Sequence, residues 1–441
     1  MFFIYYTANA SFMQQKDCKR FKFSLYYEKG NTMPEKIIIC GSGPAGLSAA
    51  LHSVERGCDT LLLEKLPRPA VKLLATGGGR CNFSHDLPEE QFMASFGRNG
   101  RFMADALDYA PQAWLLKHLK LRGVKILLQS DGCYFPASGR SSEIADAFLR
   151  PILDHGGKIF CRKQVERVVI ENKCAVGVIA SGEFFAADRV ILAGGGTAAP
   201  ALGGTSAALT LSRDAGHHII APSPAMAPLL LSETWVQTLS GISLDDAALT
   251  FGAGRRQCLT RGILLFTADG ISGPAAIDLS RDAYRAFAEA GNLTLHLDFT
   301  PELDRDFWHG FWETERRSSP KKHVHNSLGK FLPQALARVL TQNSVGEEKL
   351  NMDLSNAAIG SLINSLKKHP LTLREICPMS RAMAMSGGVD LREVDPKTME
   401  SKLVRDLFFA GEMLDLTGPC GGYNLQFAFS SGKLAAAART R

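Results

Sequence analysis

The first residues able to do chemistry stand directly after a short apolar run. Gly41-Ser42-Gly43-Pro44-Ala45-Gly46 fits G-x-G-x-x-G, in which a strand turns into a helix over a dinucleotide pyrophosphate. The three glycines have separable tasks. Gly41 permits the tight turn, Gly43 clears space for phosphate to reach the backbone, and Gly46 lets helix and strand nearly touch. Phosphate then meets the helix N-terminus, where free N–H groups and the helix dipole favour negative charge. Pro44 and Ala45 complete the turn, and Glu64 stands 64 − 41 = 23 residues after the first glycine. A carboxylate there is placed for ribose hydroxyls, and an acid instead of an arginine favours a free 2′-OH, as in FAD or NAD.

Four later blocks hold further candidates. Lys65 and Lys72 precede Gly77-Gly78-Gly79-Arg80-Cys81-Asn82, a loop whose backbone and guanidinium can face a cofactor. Ala193-Gly194-Gly195 closes a strand with a glycine turn. Gly411-Glu412 with Asp415 offers carboxylates for ribityl hydroxyls. Gly421-Gly422-Tyr423-Asn424 opens a small-and-apolar helix running to Ala437, whose first N–H groups suit the negative charge of a reduced isoalloxazine.

These blocks require a scaffold of alternating strands and helices. Lys36 to Cys40 reads as a strand buried on both faces, Leu47 to Arg56 as the helix behind it, and Gly57 as the helix end. Thr60 to Leu63, Val190 to Ala193 and Leu407 to Ala410 read as further strands. Leu293 to Leu297 reads as a short strand, Gly270 to Pro274 as a turn, and Phe331 to Leu340 as helical.

The 441 residues exceed one ordinary domain, and 45% hydrophobic with 21% charged residues is a globular composition. Ten cysteines without a C-x-x-C pair fit neither a zinc ribbon nor a secreted disulfide scaffold, so a reducing cytoplasm is expected. No apolar run reaches the roughly 20 residues of a membrane span. Residues 1–32 read as a dispensable extension without a secretory h-region, and Met33 as an alternative start. The net charge of +6 permits RNA without requiring it.

His217-His218 and His323 with His325 lack acid or cysteine partners at ligand spacing, so no metal is expected. No G-x-S-x-G elbow supports hydrolysis, and no second G-x-G-x-x-G unit offers a separate nicotinamide domain. Arg316-Arg317 and Lys321-Lys322 near Trp308 and Trp312 read either as a basic, aromatic RNA surface or as a solvated edge.

Taken in order, Lys72 to Asn82, Gly387-Gly388-Val389, Asp395 to Lys402, Phe409 to Asp415 and Gly421 to Gln426 resemble the YhiN-like flavoproteins. These are also called the BaiN/RdsA family of NAD(P)/FAD-dependent oxidoreductases. The resemblance runs from about Lys36 to the C-terminus. It implies an α/β fold with a Rossmann-type FAD-binding domain formed from both chain ends, here 33–198 and 377–441. The inserted domain, 199–376, is then β-rich, with a helical subdomain at about 300–360.

It also implies FAD, transient reduction by NAD(P)H, and hydride transfer from flavin N5 to an electron-poor C=C bond, of a steroid-like enone or of a ribosomal RNA uridine. The basic charge tilts the choice toward RNA. An amine oxidase and a non-catalytic flavin-bearing protein stay open as alternatives. Three positions depart from the family. Ala198-Ala199-Pro200 stands where Ser-Tyr-Pro is usual, Thr205 to Ala208 where Gly-Asp-Gly is usual, and Ser84-His85 where Thr-Asn is usual. No residue is assigned as the acid that protonates the substrate, although Tyr423, Cys81 and His85 lie near the inferred flavin by motif.

Overall fold

A computed structural model describes residues 33–254 and 257–437, so the expected extension over 1–32 lies outside the described residues. The apolar run Lys36–Cys40 forms the central strand of a five-stranded parallel sheet. On one side lie Asp59–Leu63 and then Lys158–Phe160; on the other lie Arg189–Leu192 and then Leu407–Phe409. Ile37, Ile38 and Ile39 are no more than 1% exposed, which is why the run is continuous instead of alternating. The chain runs outward from the central strand in both directions, so a topological switch point falls between Lys36–Cys40 and Arg189–Leu192.

Helix Pro44–Glu55 follows the glycine turn and packs along the last helix, Tyr423–Ala435. The two approach closely: a Cβ at Gly432 would stand 2.0 Å from Ala45 O, and Ser48 Oγ donates to Phe429 O at 2.6 Å. The first helix begins three residues before Leu47, because Pro44 is pre-set for its first turn. An antiparallel meander, Val165–Glu171, Cys174–Ala180 and Glu183–Ala186, leads from the sheet edge into Arg189–Leu192.

Two antiparallel strands, Ile219–Ala225 and Ala384–Val389, carry the chain out of and back into this part. Beyond them a closed six-stranded barrel runs in the order Leu229–Leu231, Gly270–Ser272, Cys258–Thr267, Ser243–Phe251, Thr294–Asp298 and His369–Glu375. Helix Pro274–Ala290 lies against it.

Between the last two barrel strands in sequence come helices Arg305–Ser318, Val324–Leu328, Gln334–Ser344 and Asn356–Lys367. The helix expected from Phe331 starts only at Gln334, with Pro333 as its cap, since proline fixes its own φ and withholds an N–H from the preceding turn.

The aromatic RNA surface is corrected here. Trp308 and Trp312 are 0% exposed, because positions i, i+4 and i+7 of Arg305–Ser318 form its inward face, completed by buried Glu315. Glu315 accepts from Ser327 Oγ and Lys330 Nζ, both at 2.6 Å. Arg316 is turned onto Leu354 O at 3.0 Å. The two tryptophans therefore offer no stacking surface, although Phe307 of the same helix and Phe331 stay exposed.

Candidate active site

The glycine turn shows how three glycines in one motif answer different demands. A Cβ on Gly46 would stand 1.8 Å from Gly41 O, and one on Gly41 would stand 2.6 Å from Ala193 O. Both glycines are fixed by the protein's own packing, which also brings the Ala193-Gly194 turn beside Gly41. A Cβ on Gly43 would meet nothing within 4 Å, and its φ of −70° suits any residue. The protein itself makes no demand for glycine there. Open space above a helix N-terminus is what an approaching pyrophosphate uses.

Glu64 is buried at the end of its strand. One carboxylate oxygen accepts from Ser42 N at 3.0 Å and from the Ser42 hydroxyl; the other accepts from Leu66 N at 2.8 Å. Ser42 Oγ in turn accepts from Ala70 N at 3.2 Å. The carboxylate is thereby held at the turn, and its remaining lone pairs can accept ribose hydroxyls. Sequence reasoning passed over Ser42, although its position inside the motif was a usable signal.

Lys72 and Glu412, 340 residues apart, form an ion pair of 2.7 Å. The other Glu412 oxygen accepts from Met385 N at 3.2 Å, and Gly195 faces the same carboxylate. Asp415 accepts from Gly387 N at 3.1 Å, and burial raises its pKa. Lys65, whose pKa burial lowers, turns to Thr205 Oγ1 at 2.9 Å. The departing segment lies nearby, with Ala199 N bonded to Met379 O at 3.2 Å and Thr205 N to Gly196 O at 3.1 Å.

Gly78 and Gly79 form a left-handed turn, and the Arg80 guanidinium sits 4.4 Å over the Phe135 ring. Cys81 is 0% exposed, and burial pushes its thiol up to about 12. Only its backbone can face a ligand. Gly422 caps the last helix with φ of +91°; a Cβ there would collide with Ser84 O at 2.5 Å and Asn82 Oδ1 at 2.6 Å. The loop at 82 and the helix start at 422 are therefore in direct contact.

Tyr423 is buried, stacked on His85 with centroids 4.7 Å apart and tilted against Phe92 at 4.9 Å. His85 Nδ1 lies 3.1 Å from Gly421 O. Asn424 accepts from Gly418 N at 2.8 Å and donates back to Gly418 O at 3.0 Å. Its side chain holds the loop before the helix, and its backbone belongs to the helix start.

That loop forms one wall of a cleft of about 390 Å³. Thr417, Gly418 and Pro419 face Met226, Ile277, Asp278 and Arg281 across it. Thr417 Oγ1 donates to Met385 O at 2.6 Å, and Arg281 Nη1 donates to Thr417 O at 2.6 Å. Asp278 Oδ1 accepts from Cys420 N at 2.7 Å. Burial pushes the Asp278 carboxyl up to about 6, against the opposing pull of the Cys420 N–H and Arg281. Neither Asp278 nor Arg281 was found from sequence, because nothing around them departs from an ordinary amphipathic helix.

With this geometry established, similarity to known proteins is informative. The model of the HI0933-like protein Rossmann domain matches residues 35–438. Over 407 residues, 91% of this chain and 98% of the relative, the sequence is 29% identical to a 3-dehydro-bile acid delta(4,6)-reductase of Clostridium scindens. Over 400 residues, 89% of this chain and 96% of the relative, it is 28% identical to a ribosomal RNA dihydrouridine synthase of Haemophilus influenzae. A 3-ketosteroid delta1-dehydrogenase of Sterolibacterium denitrificans superposes with a TM-score of 0.48 at 11% identity, covering 92% of this chain and 99% of that one.

Proposed function

The chain belongs to the HI0933-like Rossmann-domain family, and from that premise we propose that it is an FAD-dependent oxidoreductase reducing a C=C bond conjugated to a carbonyl. The observation that carries the reading is continuity of place. The start of the last helix at Gly422 packs against Asn82 and Ser84 of the glycine loop, and Cys420, two residues earlier, is bonded to Asp278 on the wall of the cleft beside Thr417 to Pro419. When bound, FAD supplies hydride transfer, with NAD(P)H as its transient source of electrons.

The chain's own residues do the rest. The turn from Gly41 to Gly46 and the N-terminus of Pro44–Glu55 hold the pyrophosphate, and Glu64 accepts ribose hydroxyls. Lys72 holds Glu412 oriented for polar groups of the ribityl chain. N–H groups at the start of Tyr423–Ala435 face negative charge on the reduced ring. The loop tied by Asn424, together with Met226 and Ile277, encloses the substrate and limits water.

A uridine of ribosomal RNA is the leading substrate, on the chain's charge of +6 and on the name of the Haemophilus influenzae relative. A steroid-like enone offers the same conjugated double bond and is suggested by the Clostridium scindens relative. Mass spectrometry of rRNA nucleosides from a deletion strain tests the first: loss of one dihydrouridine, restored by the gene, is expected. An unchanged dihydrouridine content removes RNA as the substrate.

A further inference from the structure

We propose that Asp278 is the acid that completes the reduction, donating its carboxyl proton to the carbon of the double bond that does not receive hydride. This assignment rests on the C=C reductase reading above and adds the group that reading leaves unnamed.

Reduction of a conjugated C=C bond needs two different deliveries. Hydride from the reduced flavin forms a C–H bond at the carbon β to the carbonyl, and the π pair then takes a proton at the α carbon. The O–H bond of the acid breaks, its electron pair stays as carboxylate, and water in the cleft restores the proton. One C–H bond is gained at each carbon, and the flavin is left oxidised for the next NAD(P)H. The chain must therefore present a protonated group on the wall of the substrate cleft near the flavin end.

Asp278 meets these demands by position. It stands on Pro274–Ala290, on the wall facing Thr417, Gly418 and Pro419. Among the described residues, the backbone N–H of Cys420 is its one hydrogen-bond donor, at 2.7 Å. That N–H belongs to the residue directly before Gly421-Gly422, so the carboxyl is tethered to the segment that starts the flavin-facing helix. The bond occupies Oδ1 and leaves Oδ2 to carry a proton into the cleft.

The charges around Asp278 come from every neighbouring element. Arg281 and Asp282 lie on its own helix and pair with each other at 3.2 Å. Arg261 of the adjoining barrel strand is held by Asp246 at 2.7 Å and by Glu302. Cys420 and Tyr423 lie on the last segment, and Asp131 approaches from the Cys133–Pro136 side. None of these forms an ion pair with Asp278 among the described residues, and burial raises the carboxyl to about 6, so a minority, roughly a tenth, carries its proton at neutral pH and about half does near pH 6.

The rivals are worse placed. Cys81 is sealed in the core. Tyr423 is stacked between His85 and Phe92. Burial raises the Cys420 thiol to about 11, making it a weaker acid than a carboxyl close to pH 6.

The two half-reactions separate this assignment from the reading beneath it. FAD-loaded wild type, Asp278→Asn, Asp278→Glu and Cys420→Ser are each reduced anaerobically by NAD(P)H and then mixed with a steroid enone or an rRNA fragment. Reduction by NAD(P)H is expected to stay within threefold in all four. Re-oxidation by the C=C substrate is expected to fall about a hundredfold or more in Asp278→Asn, to recover partly in Asp278→Glu, and to persist in Cys420→Ser.

In wild type, re-oxidation should slow as pH rises through about 6, and Asp278→Asn should lose that limb. Independently of turnover, infrared difference spectra of wild type minus Asp278→Asn should show a carboxylic acid band titrating in the same range. Rapid re-oxidation of Asp278→Asn, an unchanged pH limb, or a carboxyl titrating like an exposed aspartate overturns the assignment. A wild type that no conjugated C=C compound re-oxidises overturns the reductase reading, and Asp278 with it.

Discussion

Gly43→Ala separates what the protein needs from what its cofactor needs. A Cβ there meets nothing within 4 Å, and φ −70°, ψ −177° is extended backbone open to any L-residue. The cofactor-free protein should therefore lose nothing, and the restricted unfolded chain should add about 0.4–1 kcal/mol of stability. The methyl group occupies the approach to the first N–H groups of Pro44–Glu55. Displacing the pyrophosphate from two hydrogen bonds to a charged group, at about 1.5–3 kcal/mol each, costs about 3–6 kcal/mol. FAD affinity should then fall by roughly two to four orders of magnitude. Quenching of flavin fluorescence on titration with apoprotein measures the affinity, and calorimetry of the same apoprotein measures stability. Binding within threefold of wild type, or an apoprotein melting several degrees lower, refutes the reasoning. Gly46→Ala is the contrast: its Cβ would stand 1.8 Å from Gly41 O, so the apoprotein itself should be destabilised.

Gly432→Ala forces a methyl to 2.0 Å from Ala45 O and should cost about 1–3 kcal/mol, read as a lower urea midpoint with an unchanged slope. Lys72→Met leaves Glu412 without its 2.7 Å partner and should weaken FAD binding about tenfold with little change in apoprotein stability, since a partly exposed pair contributes only about 1 kcal/mol to folding; titration and thermal melts together test this. Burial lowers the pKa of His118, His217 and His369. Below the ordinary histidine pKa of about 6.5 the unfolded chain then binds protons that the folded chain refuses. Stability should be full above that pH and fall below it, by up to about 1.4 kcal/mol per pH unit for each histidine. His118→Phe, which keeps a ring against Phe148, should flatten the slope of urea stability against pH; an unaltered slope contradicts the assignment.

The sequence made the nucleotide unit legible because it is local. Strand, turn, helix, strand and Glu64 follow within Lys36 to Glu64, and Gly46 and Glu64 meet Gly41 and Ser42 inside that stretch, whereas Gly41 is fixed by distant Ala193. The order of the sheet is another matter. Leu407–Phe409 reaches its place beside Arg189–Leu192 only after the whole barrel has been built between them. The edge strand Lys158–Phe160 has a half-buried Ile159 between exposed Lys158 and exposed Phe160, too little pattern to announce itself.

Trp308 and Trp312 were ambiguous because spacing by four marks one helix face without saying whether that face is wet. Their burial follows from the packing of Arg305–Ser318 against neighbouring helices. In the site, the motif residues were visible and their partners were not. Lys72 meets Glu412 across 340 residues, and Asp278 meets Cys420 across 142. Such pairings are made by tertiary structure and leave no trace in spacing.

The most direct test of the account is anaerobic absorbance spectroscopy of the purified protein loaded with FAD. The account predicts a yellow protein whose flavin band is bleached by NADH or NADPH and returns when an rRNA fragment or a steroid enone is added, with the double bond saturated in the product. A protein that takes up no FAD, or one whose flavin is bleached by an amine and by neither nicotinamide, would contradict it.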